Sequence, residues 1–316
     1  MKGQQLRRYL AVVACVLVLS GCSSTSTPSK SSGSKVPTIS EGSISPLSVN
    51  YSDSRHPLRI VALANGSAEI LVSMGLEKEV VGRDVASTTP ALESVPIVTS
   101  GHQLIPEKVI ALKPDLVIID ASTGPANALT VIRKSGIKIV KILEAWTLAD
   151  ISKKVLAVGR AVAAPNTAKD LAEKINSTIG KLSADATIHP KIAFLYLRGT
   201  NSIYLMGGPG SGADSLIAAL GAKDVGAATL PHAFNSLTSE ALVTAQPDIL
   251  LLMTKGLESV GGVKGLLDLP GIAQTPAGKY RRIITVDDSL LLSFGPRTPG
   301  LVVQLAKDVA TVMDGK

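Results

Sequence analysis

Tyr196-Leu197-Arg198 closes a β-like run that starts at Lys191. A strand repeats every two residues, so Tyr196 and Arg198 face one side and Leu197 the other. A guanidinium beside a phenol can hydrogen-bond the phenolate and favour its charged form, in a side chain that ordinarily titrates near pH 10. The duller role of a tyrosine there is half-buried packing with a wet hydroxyl. Met253 ends a second run, Asp248–Met253, where it either fills an apolar gap or contacts a ligand. Arg83 follows Val80–Gly82, and His102 follows Pro96–Val98. Ligands of open parallel sheets bind beyond the carboxyl ends of strands, where these residues fall.

Enzyme chemistry is poorly supported. There is no Gly-x-Ser-x-Gly elbow, no His-Glu-x-x-His and no catalytic cysteine, since Cys15 and Cys22 both lie at the N-terminus. The loop Gly207-Gly-Pro-Gly-Ser211-Gly212 lacks the Lys-Ser/Thr ending of a phosphate-binding loop and reads as a tight turn that lets backbone approach a ligand edge. The four histidines, His56, His102, His189 and His232, form no local cluster. His56 and His189 read as solvated, and His232 sits on a loop near Phe234.

These residues need a scaffold, and the chain has material for one. It has 316 residues, 45% hydrophobic and 18% charged, which excludes wholesale disorder. The formal charge is +7, and removal of Lys2, Arg7 and Arg8 with a signal peptide leaves +4, too mild for nucleic-acid binding. Those cations precede an apolar run, Leu10–Leu19, which is shorter than the about 20 residues that span a bilayer and suits a signal-peptide core. It ends in Leu19-Ser-Gly-Cys22, similar to the bacterial lipoprotein box, so the expected order is a signal peptide over 1–21, lipidation at Cys22 and a Ser/Pro-rich flexible tether over 22–56. Two acyl chains hold such a protein to a membrane.

Beyond the tether, short apolar runs alternate with helical segments, which predicts parallel α/β architecture. Arg59–Ala64, Val80–Gly82, Asp115–Ile119 and Lys138–Ile142 read as strands of one lobe over 57–164; Lys191–Leu197 and Asp248–Met253 read as strands of another over 188–316. Local wording repeats between them. Glu107-Lys-Val-Ile-Ala-Leu-Lys-Pro114-Asp115 is echoed by Glu240-Ala-Leu-Val-Thr-Ala-Gln-Pro247-Asp248. Each glutamate opens a helix, where its charge favours the N-terminus by about 0.3–1 kcal/mol. Between the lobes, Leu171, Ile175, Ile179 and Leu182 form one apolar stripe of a helix expected to join them over 165–187. Trp146 is expected to pack against that helix.

This plan resembles the substrate-binding proteins of bacterial ABC importers in which a single long helix joins two Rossmann-like α/β lobes, the class III periplasmic-binding-protein fold. Gly82-Arg83-Asp84, Ser100-Gly-His102-Gln-Leu, the stretch Gly256–Gly278 and Phe294-Gly-Pro-Arg297-Thr-Pro299 are similar to haem-binding lipoproteins of HmuT type. The resemblance implies a cargo, haem b, bound between the lobes, with His102 and Tyr196 as axial ligands of its iron from opposite lobes. Phenolate is a hard donor that suits ferric iron. Arg198 would steady it, Met253 and Phe234 would contact the porphyrin, and Arg83 and Arg297 would pair with propionates, unless Arg297 braces the C-terminal loop. It further implies docking of Glu107 and Glu240 onto the permease of an importer with separate ATPase subunits. The haem would come from a host protein or from an upstream haem-relay surface protein. A siderophore or cobalamin receptor on the same scaffold is the nearest alternative, and an extracytoplasmic hydrolase a remoter one.

Overall fold

The computed structural model of the chain describes residues 36–54, 58–101, 103–182 and 189–315. The expected signal peptide, Cys22, His56, His102 and residues 183–187 of the expected interlobe helix lie outside the described residues.

A short strand β1 (Thr38–Ile39) is followed by the first lobe: β2 (Ile60–Ala62), α1 (Ser67–Ser73), β3 (Val80–Arg83), β4 (Thr99–Ser100), β5 (Gln103–Leu104), α2 (Pro106–Ala111), β6 (Leu116–Ile119), α3 (Ala126–Lys134) and β7 (Lys138–Lys141). Next come α4 (Asp150–Ala161) and α5 (Pro165–Ile179). The second lobe opens with β8 (Lys191–Arg198), β9 (Ile203–Gly207), α6 (Ala213–Ala219), β10 (Lys223–Asp224), α7 (Val225–Thr229), β11 (Phe234–Ser236), α8 (Ser239–Ala245) and β12 (Ile249–Met253). It closes with α9 (Thr254–Ser259), α10 (Gly262–Asp268), α11 (Pro276–Lys279), β13 (Ile283–Val286), α12 (Asp288–Leu291) and α13 (Thr298–Asp314).

The first lobe has a parallel sheet in the order β3-β2-β6-β7. The second repeats this as β10-β8-β12-β13, also parallel, then adds β1 beside β13, β9 antiparallel to the later half of β8, and β11 antiparallel to β9. The repeated Pro-Asp has one physical role in both lobes. Asp115 Oδ2 accepts from the Arg59 amide at 2.7 Å and the Asp115 amide donates to Arg59 O at 2.8 Å, which ties the start of β6 to that of β2. Asp248 makes the same pair of bonds with Lys191, at 2.9 and 2.7 Å, and ties β12 to β8.

One apolar cluster runs from Ile60 and Ile118 on the first sheet, through Val155, Leu171 and Ile175 on α4 and α5 and Leu301 on α13, to Phe194 and Leu251 on the second. Each such side chain contributes about 1.5–3 kcal/mol by leaving water, so this shared core opposes separation of the lobes. Helix α5 carries the predicted stripe, with Leu171 and Ile175 buried, but it ends at Ile179 and packs along α4. The two helices approach closely because residue 159 is glycine: a Cβ there would lie 2.1 Å from the Ala168 Cβ.

The tether expected over 22–56 differs over 36–54, which are laid against the body. Ile39 and Ile44 are buried, β1 pairs with β13, the Leu47 amide donates to Pro296 O at 3.2 Å and the Val49 amide to Ser73 O at 2.9 Å. Asp53 accepts from the Thr167 amide at 2.8 Å and hydroxyl at 2.7 Å, at the start of α5. Ser/Thr/Pro-rich composition misleads here because a few well-spaced apolar residues suffice to seat a segment on an existing core.

Candidate functional site

The carboxyl ends of β8, β12 and β13 converge, and the side chains there form one cluster. Half-buried Tyr196 meets the Phe234 ring edge-on, with centroids 5.7 Å apart. The strand pairing explains the contact: Tyr196 lies opposite Leu205 on β9, and β11 places Phe234 opposite Gly207, two residues on along the same face. Glycine at 207 leaves room for the aromatic side of this face, since a Cβ would lie 2.6 Å from Phe194 Cδ1.

Arg198 stands 4.7 Å from the Tyr196 ring centroid, over the ring face. The hydrogen bond expected from its guanidinium to the phenolic oxygen is replaced by this stack. Its Nη1 donates to Leu197 O at 2.9 Å, while Nη2 reaches Met253 Sδ at 3.4 Å and Asp288 Oδ2 at 2.6 Å. Met253 is 4% exposed and ends β12, so it is a core residue that also touches the cluster. Asp288 is absent from the sequence expectations. The signal for it is faint: an acidic residue two positions after a strand of the second sheet, beside Asp287, whose carboxylate caps the Ser289 amide at 2.8 Å. A cation over an aromatic face gains about 0.5–1 kcal/mol at exposed sites and more when desolvated.

Asp288 connects this cluster to the space between the lobes. It lines a cavity of about 60 Å³ together with Asn65, Glu69 and Asp84 of the first lobe and Ser289 and Arg297 of the second. Burial raises the Asp84 carboxyl above its usual range, against hydrogen bonds from Ser87 that lower it. The two arginines expected at propionates bond protein groups in this structure. Arg83, 8% exposed, donates to the carbonyls of Leu92 at 3.0 Å and Ser87 at 2.9 Å and so holds the loop after β3. Arg297 donates to Glu69 at 2.7 Å and lies 3.5 Å from Glu41, the bracing role that was its alternative. Both guanidinium groups are buried, and buried donors are held by whatever acceptors the fold supplies.

The tight glycine loop also has a packing role. A Cβ at Gly208 would lie 2.3 Å from His232 O, and one at Gly212 would lie 2.9 Å from Phe294 Cε2. Trp146 packs towards this same loop, with Cε3 3.3 Å from a Cβ at Gly212. Glu107 and Glu240 are both exposed in the first turns of α2 and α8, the equivalent helices of the two lobes.

The lobes are further joined by Lys154, whose ammonium donates to Ser293 O at 2.8 Å and Phe294 O at 3.4 Å. Burial pushes it down to about 8, against the raising influence of Glu69, Asp120 and Glu144. A base whose folded pKa is lowered binds fewer protons than in the unfolded chain, so stability rises with pH between about 8 and the ordinary 10.5. The gain is about 3 kcal/mol over that window. Lys154→Met should lack it, so chemical denaturation at pH 7.5 and 10 should show a slope in the wild type that the variant loses. Parallel slopes would refute the assignment.

Residues 60–290 match the family model described as periplasmic binding protein. Among solved structures, the chain is similar to the periplasmic heme-binding protein RhuT from Roseiflexus sp. RS-1 in apo form, with 36% identity and a TM-score of 0.77, over 81% of this chain and 99% of that one. It is similar as well to the heme-binding protein HmuT, at 30% identity and a TM-score of 0.78, over 87% of this chain and 97% of that one. Among curated proteins, the ABC transporter substrate-binding lipoprotein YvrC of Bacillus subtilis (strain 168), itself uncharacterized, is 25% identical over 95% of this chain and 96% of its own length.

Proposed function

The chain belongs to the periplasmic binding protein family, and we propose from that premise that it binds haem outside the cytoplasmic membrane and delivers it to an ABC permease. The observation that carries the reading is the grouping of Tyr196, Arg198, Met253 and Phe234 at the carboxyl ends of the second-lobe strands, in a chain similar over most of its length to heme-binding proteins. Tyr196 supplies the phenolate to ferric iron, and His102 the second ligand from the other lobe. The cargo is haem b, the ring met by Phe234 and Met253. No reaction is catalysed by the chain itself; energy comes from ATPase subunits of the importer.

Titration of the mature chain with hemin tests this. A Soret band that saturates at a defined stoichiometry is expected. No Soret band, with saturable binding of cobalamin or a ferric siderophore, would replace haem by that alternative on the same scaffold.

Anchoring through lipid at Cys22 fits the Leu-Ser-Gly-Cys22 sequence and the similarity to a lipoprotein. Cys22→Ala should release the protein from the membrane fraction or stop its maturation; unchanged fractionation and acylation would refute the anchor. Docking rests on Glu107 and Glu240, exposed on equivalent helices. A permease of two-fold symmetry presents two equivalent basic pockets, which suits acidic groups repeated on two lobes. Glu107→Ala/Glu240→Ala should leave hemin binding intact and reduce cellular uptake severalfold. Full uptake would rule the docking role out.

A further inference from the structure

The Asp288 carboxylate has a donor on each oxygen. Oδ2 accepts from Arg198 Nη2 at 2.6 Å and Oδ1 from the Lys255 amide at 3.0 Å. It thereby joins the ends of three neighbouring strands: Arg198 finishes β8, Lys255 follows β12 in the first turn of α9, and Asp288 itself follows β13. Its own backbone is held, because the adjacent Asp287 caps the Ser289 amide at 2.8 Å and its amide donates to Ile39 O at 2.8 Å. The pair is partly buried, with side-chain exposures of 25% for Arg198 and 16% for Asp288, so solvent screens it less than a surface pair.

An arginine side chain has about 2 kcal/mol of rotamer entropy to lose when fixed. Arg198 is fixed all the same, over the Tyr196 ring face at 4.7 Å. The contacts to Leu197 O and Met253 Sδ are a neutral carbonyl and a weak thioether acceptor; Asp288 is the anionic partner. We propose that Asp288 is a positioning residue that holds Arg198 against Tyr196 and thereby sets how tightly the phenolate retains ferric haem. This rests on the haem reading for the retention step, while the positioning step is a property of the free protein. Asp288 touches the iron ligand only through Arg198, so its influence must vanish when Arg198 is removed. The Asp288–Arg198 pair also places a compensated charge beside the ligand, where a free guanidinium would oppose the ferric cation.

The test uses the mature chain. Outer partners of a metal ligand are worth about 10–100-fold in affinity. Asp288→Ala is therefore expected to weaken hemin binding about tenfold and to shift the tyrosinate-to-iron charge-transfer band. Asp288→Asn keeps the volume and one acceptor and should lie between the wild type and Asp288→Ala. In an Arg198→Ala background, Asp288→Ala should add nothing, as a double-mutant cycle would show. An equal loss in both backgrounds, or an unmoved band in Asp288→Ala, would overturn the role. In the free protein, arginine side-chain NMR should show the Arg198 guanidinium protected from hydrogen exchange in the wild type and unprotected in Asp288→Ala. Unchanged protection would overturn the positioning step alone. A wild type that gives no Soret band with hemin would instead sink the haem reading, and retention with it.

Discussion

Tyr196→Ala should abolish tyrosinate ligation, remove the charge-transfer band and weaken hemin binding by more than about 100-fold, beyond the range of outer-partner losses. In the proposed site the phenol would be the anionic donor, which ferric iron favours over neutral ligands. The surroundings sharpen the expectation. Arg198 stands over the ring at 4.7 Å and Phe234 meets it edge-on, so the ring is held in place before any ligand arrives. Such preorganisation lowers the ordering cost of binding. Phe234→Ala, which removes a neighbouring aromatic but no ligand atom, should cost far less and leave the charge-transfer band in place. His102→Ala should retain haem through Tyr196 and give a five-coordinate spectrum. Absorption titration of the three variants checks the order. If Tyr196→Ala binds hemin with an unaltered spectrum, Tyr196 is not a ligand.

The second large effect concerns the joint between the lobes. Glu69, 3% exposed on α1, accepts from the Arg297 amide at 3.0 Å and from its guanidinium at 2.7 Å, with Arg297 itself 5% exposed before α13. Removing one member of a buried pair leaves an uncompensated charge, at a cost of about 3–5 kcal/mol. Arg297→Ala should therefore lower the melting temperature by about 10 °C, given roughly 2–4 °C per kcal/mol in a domain of this size. Replacing both partners with apolar residues of similar volume, Glu69→Leu/Arg297→Met, should recover most of that loss, because neither member of the pair is then left without the other. A single variant that melts within about 1 °C of the wild type would show that water reaches Glu69 and screens it.

Arginines mark where sequence order stops being informative. Arg83 and Arg297 look alike as candidates for an anionic ligand when only position after a strand or within a loop is known. What separates them from Arg198 is burial and the acceptors nearby: backbone carbonyls of the loop after β3 for Arg83, and Glu69, 228 positions away, for Arg297. A flexible cation takes its partner from whatever the fold brings within reach, and that is not a local property.

By contrast, what depends on short-range physics was open to reading. Strand periodicity put Tyr196 and Arg198 on one face, the apolar stripe placed Leu171 and Ile175 inward on α5, and the repeated Glu-to-Pro-Asp spacing marked two equivalent strand starts that the structure joins through Asp115 and Asp248. Alternation of strand and helix is a property of neighbouring residues, because backbone hydrogen bonding and side-chain period repeat within a few positions. Residues 36–54 lacked any such period, so their seating on α1, α5 and β13 became visible only with those elements assembled. Asp288 is the sharpest case. Nothing in Val286-Asp-Asp-Ser289 separates its second aspartate from an ordinary helix start. Its carboxylate meets Arg198 across 90 positions because β13 and β8 flank β12 in one sheet, and their ends stand side by side. Sequence alone determined which residues share a strand face; the order of strands in the sheet decided which of them meet.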